Sequence, residues 1–256
     1  MSPTDDSGQN ADLNADLQAG LAALAGLVAG SMDLPELLAE VAGFAQRALP
    51  GADGVGVALL DADRPGQLAA AHAASTAVVE QIDRIQYDTL REGPGITVAM
   101  TRATVRSGSL GGEKLWPRFG PRAGRLGVHS VLALPLTVAD HVIGTIGVYS
   151  FAKDVFDEHA VALGEMFAKP AAVAVHNAHI LAQAVALTVQ LQTALATRPV
   201  IDQAIGLIRG RTGRSAEEAL AQLKAISQAD HRKLSDVAQH VIDEAVRRAR
   251  ARPSGS

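Results

Sequence analysis

Cysteine is missing from all 256 residues. That one absence excludes disulfides, thiol nucleophiles, cysteine-ligated zinc, iron–sulfur clusters and thiol redox sensing. Long hydrophobic runs are missing too. The longest apolar stretches reach about 8–10 residues before a polar or charged break, short of the roughly 18–20 a bilayer span needs, so no span is expected. The opening MSPTDDSGQNADLNADLQ has neither the basic start nor the apolar centre of a secretory signal, and a soluble cytoplasmic protein is expected. The eight histidines form no H-E-x-x-H pattern. His176 and His179 sit three apart on a predicted helix, but two histidines on a solvated face do not make a metal site, and no metal or cofactor is expected. Aromatic residues make up 3% of the chain, and none lies between Arg198 and Ser256. Base stacking on aromatic platforms is therefore excluded for that segment.

The chain does carry a change of sign. Residues 1–197 hold 12 Lys and Arg against 20 Asp and Glu, whereas 198–252 hold 11 against 7. A small basic module behind a larger acidic domain points to an output unit that meets a polyanion.

Residues 1–12 read as a disordered tail. Leu13, Leu17, Leu21, Leu24 and Val28 then recur at helical spacing, giving an N-terminal helix over 13–30. Asp33 with Glu36 three residues on, and Pro35 between them, predicts the capped start of a second helix ending before Pro50–Gly51. The period then changes. GVGVALL at 54–60 reads as a strand, followed by a turn over 61–66 and a strand over 67–73. Val78–Thr89 returns to helical spacing. REGPG at 91–95 reads as loop, 104–105 as a weak strand, and 112–127 as loop with a short helix. Val128–Leu136 and His141–Tyr149 are two strong strands joined at Ala139–Asp140. A long helix from Phe156 to Leu181 follows, with Pro170 inside it, and it can continue to Leu195. Helices flanking an antiparallel sheet make an α+β domain. Leu187, Leu191 and Leu195 form a short apolar stripe, suited to pairing with its copy or to packing on its own chain.

Three helical patterns close the chain. The first starts near Pro199 and carries Ile201, Ala204, Ile205 and Ile208. The second starts at the capping box Ser215–Glu218 and carries Ala219, Leu220, Leu223 and Ile226. The third is capped by Asp230 and carries Leu234, Val237, Ala238, Val241, Ile242 and Ala245, a full apolar face. Each helix hides one face against the other two. What remains outside is basic or polar: Gln203, Arg209, Arg211, Arg214, Lys224, Ser227, His231, Arg232 and Lys233 are the candidate nucleic-acid contacts.

This segment resembles the ANTAR domain, an RNA-binding module of bacterial transcription antiterminators. The matching residues are Arg198, Ile201–Ala204, Gly206, Ser215, Glu218–Ala219, Leu223, Ser227–Gln228, Lys233–Leu234 and Asp236–Ala238, in order and without gaps. Ile205 stands where the family often has lysine, and Arg209 where it often has methionine. The preceding domain resembles the GAF domain, through GVGVALL, EGPG at 92–95, WPRFGPRAGRLGVHSVLALPL at 116–136 and HVIGTIGVYS at 141–150. Gly95 stands where related sequences often have cysteine. The cyclic-nucleotide pattern of other GAF domains is not reproduced, since Phe156-Asp157-Glu158 is only a fragment of it.

The resemblance implies an α+β GAF domain over 31–180 (an antiparallel sheet with flanking helices), a linker helix over 181–197, a three-helix all-α ANTAR domain over 198–250 and a disordered tail over 251–256. It implies a homodimer that senses a small molecule or partner and binds stem-loops of nascent RNA. Trp116 and Phe119 are the candidates to line the ligand pocket. Two other functions remain open from the residues. Three short basic helices also describe a helix-turn-helix DNA-binding factor. An enzyme is disfavoured: sulfoxide-reducing GAF folds need cysteine, and the adjacent His129 and Ser130 point to opposite faces of a strand, so no catalytic residue is expected.

Overall fold

The computed structural model describes residues 4–27, 32–60 and 69–250. They divide into two compact units, Met1–Gln183 and Ala184–Ser256.

The first unit is built on five antiparallel strands in the order β2-β1-β5-β4-β3. These are β1 (Gly54–Leu59), β2 (Ala71–Ala74), β3 (Val105–Ser107), β4 (Ser130–Val138) and β5 (His141–Ser150). The β4–β5 hairpin closes on Ala139 and Asp140, both at positive φ (47° and 66°), with Val138 paired to His141. That two-residue turn has the twist that antiparallel strands require. The expected turn at 61–66 lies outside the described residues, as do positions 67 and 68 of the expected second strand.

Alternation along β1 and β5 divides the sheet into two unlike faces. Val55, Val57, Leu59, Ile146 and Val148 face α1 (Thr4–Ala25), α2 (Leu34–Ala48) and the start of α6 (Glu158–Thr212), in one core with Leu17, Leu38, Leu163 and Phe167. The opposite face carries α3 (Ala77–Asp83), a π-helical turn (Arg84–Leu90), α4 (Pro94–Thr101) and α5 (Phe119–Arg125). Asp33 caps α2 as expected: its carboxylate accepts the Glu36 N–H at 2.9 Å, and Glu36 reaches back to the Asp33 N–H at 3.0 Å.

Three expectations are corrected here. Residues 4–12, read as a disordered tail, belong to α1. The EGPG stretch, read as loop, opens α4, with Pro94 in its first turn, where a missing N–H costs nothing. The 181–197 linker and the first helix of the terminal module are not separate pieces, because α6 is continuous from Glu158 to Thr212. Pro170 and Pro199 lie within it. Each forfeits one backbone hydrogen bond, while Phe167, Ala168, Ala171, Ala172 and Val175 beside Pro170 are buried and hold the helix on the sheet.

Between Lys169 and Arg198 the helix has no Asp, Glu, Lys or Arg. It therefore contains a stretch long and apolar enough to cross a membrane by length and composition, of which only 17% is buried. The short apolar runs hid this, because uncharged Asn177, His179 and Gln183 interrupt the runs without lowering the average far.

The second unit packs the end of α6, α7 (Ala216–Ala229) and α8 (Leu234–Arg250) around Ala204, Ile208, Ala219, Leu223, Val237 and Ala238. Ser215 caps α7 with the expected reciprocal bonds to Glu218. Asp230, expected to cap α8, instead closes α7, its N–H bonded to the Ile226 carbonyl. Helix α8 starts four residues later because His231 is held at φ 52°, outside the helical region.

Candidate functional sites

Two loop-derived groups in the first unit meet at Glu92. Its carboxylate accepts the Arg118 and Phe119 backbone N–H groups at 2.7 and 2.9 Å and the Arg118 guanidinium at 2.8 Å. Burial pushes this acid up, but those hydrogen bonds and the cation outweigh it, and its pKa lies below the ordinary glutamate value. The glutamate of EGPG thus ties the start of α4 to the start of α5. Trp116 and Phe119, expected in a ligand pocket, are core residues. Both are fully buried, edge to face, in a cluster with Leu110, Val131 and Tyr149, and the indole N–H donates to Thr97 Oγ1 at 2.9 Å. An aromatic this buried with its polar atom satisfied is fixed by packing.

Polar groups were missed on the sheet face beneath α3. Asp83, Gln86, Tyr87, Thr145 and Tyr149 are all buried there. Gln86 Oε1 accepts the Gly95 N–H at 2.7 Å, and the Tyr87 and Thr145 hydroxyls share a hydrogen bond of 2.8 Å. The Tyr87 hydroxyl leaves no room for a Cβ at Gly95, which explains glycine in this chain's EGPG. The signal in the sequence was the pair of glycines in GVGVALL and HVIGTIGVYS, which register pairs as Gly56 and Gly147.

In the second unit, the candidate RNA contacts form two groups. Arg209 and Arg211 close α6 and Arg214 stands in the following loop; His231, Arg232 and Lys233 make the α7–α8 turn. The 14 residues of α7 lie between the groups, about 20 Å at 1.5 Å per residue. Lys224 is exposed on α7, and Gln203 is exposed on α6 beside Gly206 and Gly210. Nothing lies within 4 Å of a Cβ built at either glycine, so this face of α6 is bare backbone. Arg209, Arg211, Lys224, Arg232 and Lys233 are exposed, and none makes a side-chain hydrogen bond or ion pair among the described residues. Arg214 donates to Gln222 at 2.8 Å. Ser227 is not a free contact: its hydroxyl donates to the Arg232 carbonyl at 2.6 Å, and the Arg232 N–H returns to the Ser227 carbonyl. It fixes the turn that presents Arg232 and Lys233.

Residues 31–176 match the GAF domain family and residues 189–242 the ANTAR domain family. The chain belongs to the GAF domain family and carries an ANTAR domain. GAF domains are sensors and ANTAR domains are RNA-binding antiterminator modules; both are regulatory and typically soluble. Among solved structures, the fold is similar to the GAF domain of a phosphoenolpyruvate-protein phosphotransferase from Coxiella burnetii, at 18% identity, 64% of this chain, 95% of that chain and a TM-score of 0.51. The corresponding GAF domain from Acinetobacter matches at 17% identity, over 70% of this chain and 97% of that one, with a TM-score of 0.46. A free methionine-R-sulfoxide reductase from Neisseria meningitidis, in complex with its substrate, matches at 17% identity, over 66% and 91%, with a TM-score of 0.48. Comparison with curated proteins finds no match.

Proposed function

We propose that this protein is a cytoplasmic, non-catalytic regulator of transcription antitermination, in which the GAF domain senses a small molecule and the ANTAR domain binds stem-loop RNA. The observation that carries the reading is the set of cations at the two ends of α7, unpaired among the described residues, on a packed three-helix core. Arginine and lysine without intramolecular partners are free to meet phosphates, and a ligand touching both groups must itself extend about 20 Å. A folded stem-loop has that reach; a mononucleotide does not. Without aromatic side chains, recognition rests on phosphate contacts and on polar groups such as Gln203. The bare glycine face of α6 allows a backbone to approach closely.

The protein acts as a homodimer through α6. Met166, Val173, Ile180 and Leu187 recur every seven residues and are 50–55% exposed. Pro170, Asn177, Ala184 and Leu191 follow each by four, completing a two-column seam. An apolar groove of about 380 Å³, lined by Leu21, Leu24, Leu37, Pro170, Val173 and Asn177, opens on the same seam. An apolar helix face left this exposed is a surface for a partner, and a second copy offers the same repeat in register. The absence of cysteine removes thiol chemistry from the GAF domain.

The test is titration of the full chain against a hairpin RNA and a DNA duplex of equal charge at one salt concentration. Tighter binding to the hairpin is expected; preference for duplex would refute the antitermination reading in favour of a DNA-binding factor.

A further inference from the structure

The centre of the sheet face beneath α3 has almost no side chains of its own. Gly56 of β1 pairs with Gly147 of β5, and Ala58 and Ala133 lie beside them. Two side chains lie over this cleared floor. The Asp83 carboxyl sits where a Cβ on Gly56 would be, and the Tyr149 hydroxyl lies 2.9 Å from where one on Gly147 would be. Both residues are at most 2% exposed; among the described residues Asp83 Oδ2 has no hydrogen-bond partner, and the Tyr149 hydroxyl has only the Gln86 side chain beside it. The other Asp83 oxygen meets only the Gln86 amide, at a long 3.5 Å. A third buried polar atom, His72 Nδ1 on neighbouring β2, has no partner among the described residues.

We propose that this cluster is the sensing site and that its ligand is a small organic cation with an ammonium group, paired with Asp83 and hydrogen-bonded to Tyr149. The proposal rests on the reading of the GAF domain as a small-molecule sensor and names the ligand class. Folded proteins seldom leave buried polar atoms unsatisfied, and such atoms cluster where something else completes them. A buried carboxyl needs a proton or a cation. No lysine or arginine among the described residues pairs with Asp83, and the charged group acting on it is a second acid, Asp88. Burial and Asp88 together push the Asp83 acid well above its ordinary value. The other groups around it are the phenols of Tyr87 and Tyr149, both pushed up mainly by burial, and His72, which stacks on Tyr87 and lies 3.9 Å from Asp88. Neutral phenols leave the charge of a carboxylate unmet, and the missing element is positive charge. Asp83 leads directly into the π-helical turn that carries Gln86 and Tyr87, a rare form of helix that recurs at functional sites.

The measurement is isothermal titration of the full chain at neutral pH with propylammonium chloride, 1-propanol and sodium propionate, probes of one size and three charges. Only propylammonium should bind. Asp83→Asn should weaken that binding at least tenfold. Tyr149→Phe, which removes the hydroxyl and keeps the ring, should weaken it by a smaller factor. Binding of propanol or propionate in preference would overturn the cationic class and leave the sensor reading standing. Equal binding by wild type and Asp83→Asn, both with normal circular dichroism, would overturn the assignment to this cluster. No heat from any of the three would overturn the inference as well; a metabolite retained in the native mass spectrum of protein from its own host would then still uphold the sensor.

Discussion

Replacing Leu223 by alanine should unfold the ANTAR domain and leave the GAF domain intact. Leu223 is fully buried, and its buried neighbours are mostly short: Ala204, Ala219 and Ala238, with Ile208 and Val237. Alanines cannot extend into a space left by leucine, so the cavity stays open. Leucine-to-alanine changes at such sites cost about 3–5 kcal/mol, the upper part of that range where collapse is prevented. A domain of some 50 residues has about 3–7 kcal/mol in total at the usual stability per residue. The substitution therefore removes most or all of the stability of this unit. Hydrogen exchange read by mass spectrometry separates the two units: amides of α7 and α8 should lose protection while those of β4 and β5 keep it. Binding to hairpin RNA should disappear with the protection. Lys224→Ala is the control, because Lys224 is adjacent but exposed and unpaired; it should weaken RNA binding without changing exchange. Unchanged protection of α7 and α8 in Leu223→Ala would refute the three-helix core on which the RNA surface depends.

Three further outcomes are expected. Reversing charge with Arg232→Glu and Lys233→Glu should abolish hairpin binding with normal circular dichroism, and neutralising the pair with glutamine should flatten the salt dependence by about one to two ions; wild-type affinity in the reversed variant would count against the α7–α8 turn as a contact. Leu187→Asp should halve the mass seen by light scattering from twice 26.5 kDa to a single chain; a monomeric wild type would remove the α6 seam as an interface. Glu92→Gln should lower the melting temperature at pH 7 by about 2–5 °C. Because the native Glu92 pKa is depressed, its contribution is complete above the ordinary value of 4.5 and fades as pH falls through the lower native value. The variant and wild type should converge there, and a gap that persisted at low pH would show that charge is not the cause.

Local chemistry was legible in the chain before any fold was known. Asp33 with Glu36, and Ser215 with Glu218, announced two helix starts because a capping box closes within four residues. The apolar face of α8, the β4–β5 hairpin and the exclusion of thiol chemistry came the same way. The ANTAR cations were legible as a surface because the apolar stripes left them nowhere else to go. Their division into two groups was not, since it follows from the direction and length of α7.

What only the tertiary structure decided depends on partners far along the chain. The Trp116 indole found its acceptor in Thr97, 19 residues back, and Glu92 became a tie between loops because Arg118 folds back 26 residues to it. Tyr87 meets Thr145 across 58 residues, and Asp83 and Tyr149 lie over neighbouring glycines only because β1 and β5 pair Gly56 with Gly147. A carboxyl in sequence is presumed solvated; nothing within four residues of Asp83 says that it will be buried without a cation. Helix caps and periodic faces are set by near neighbours and can be read along the chain, whereas burial and unmet charge are properties of the space that distant segments enclose.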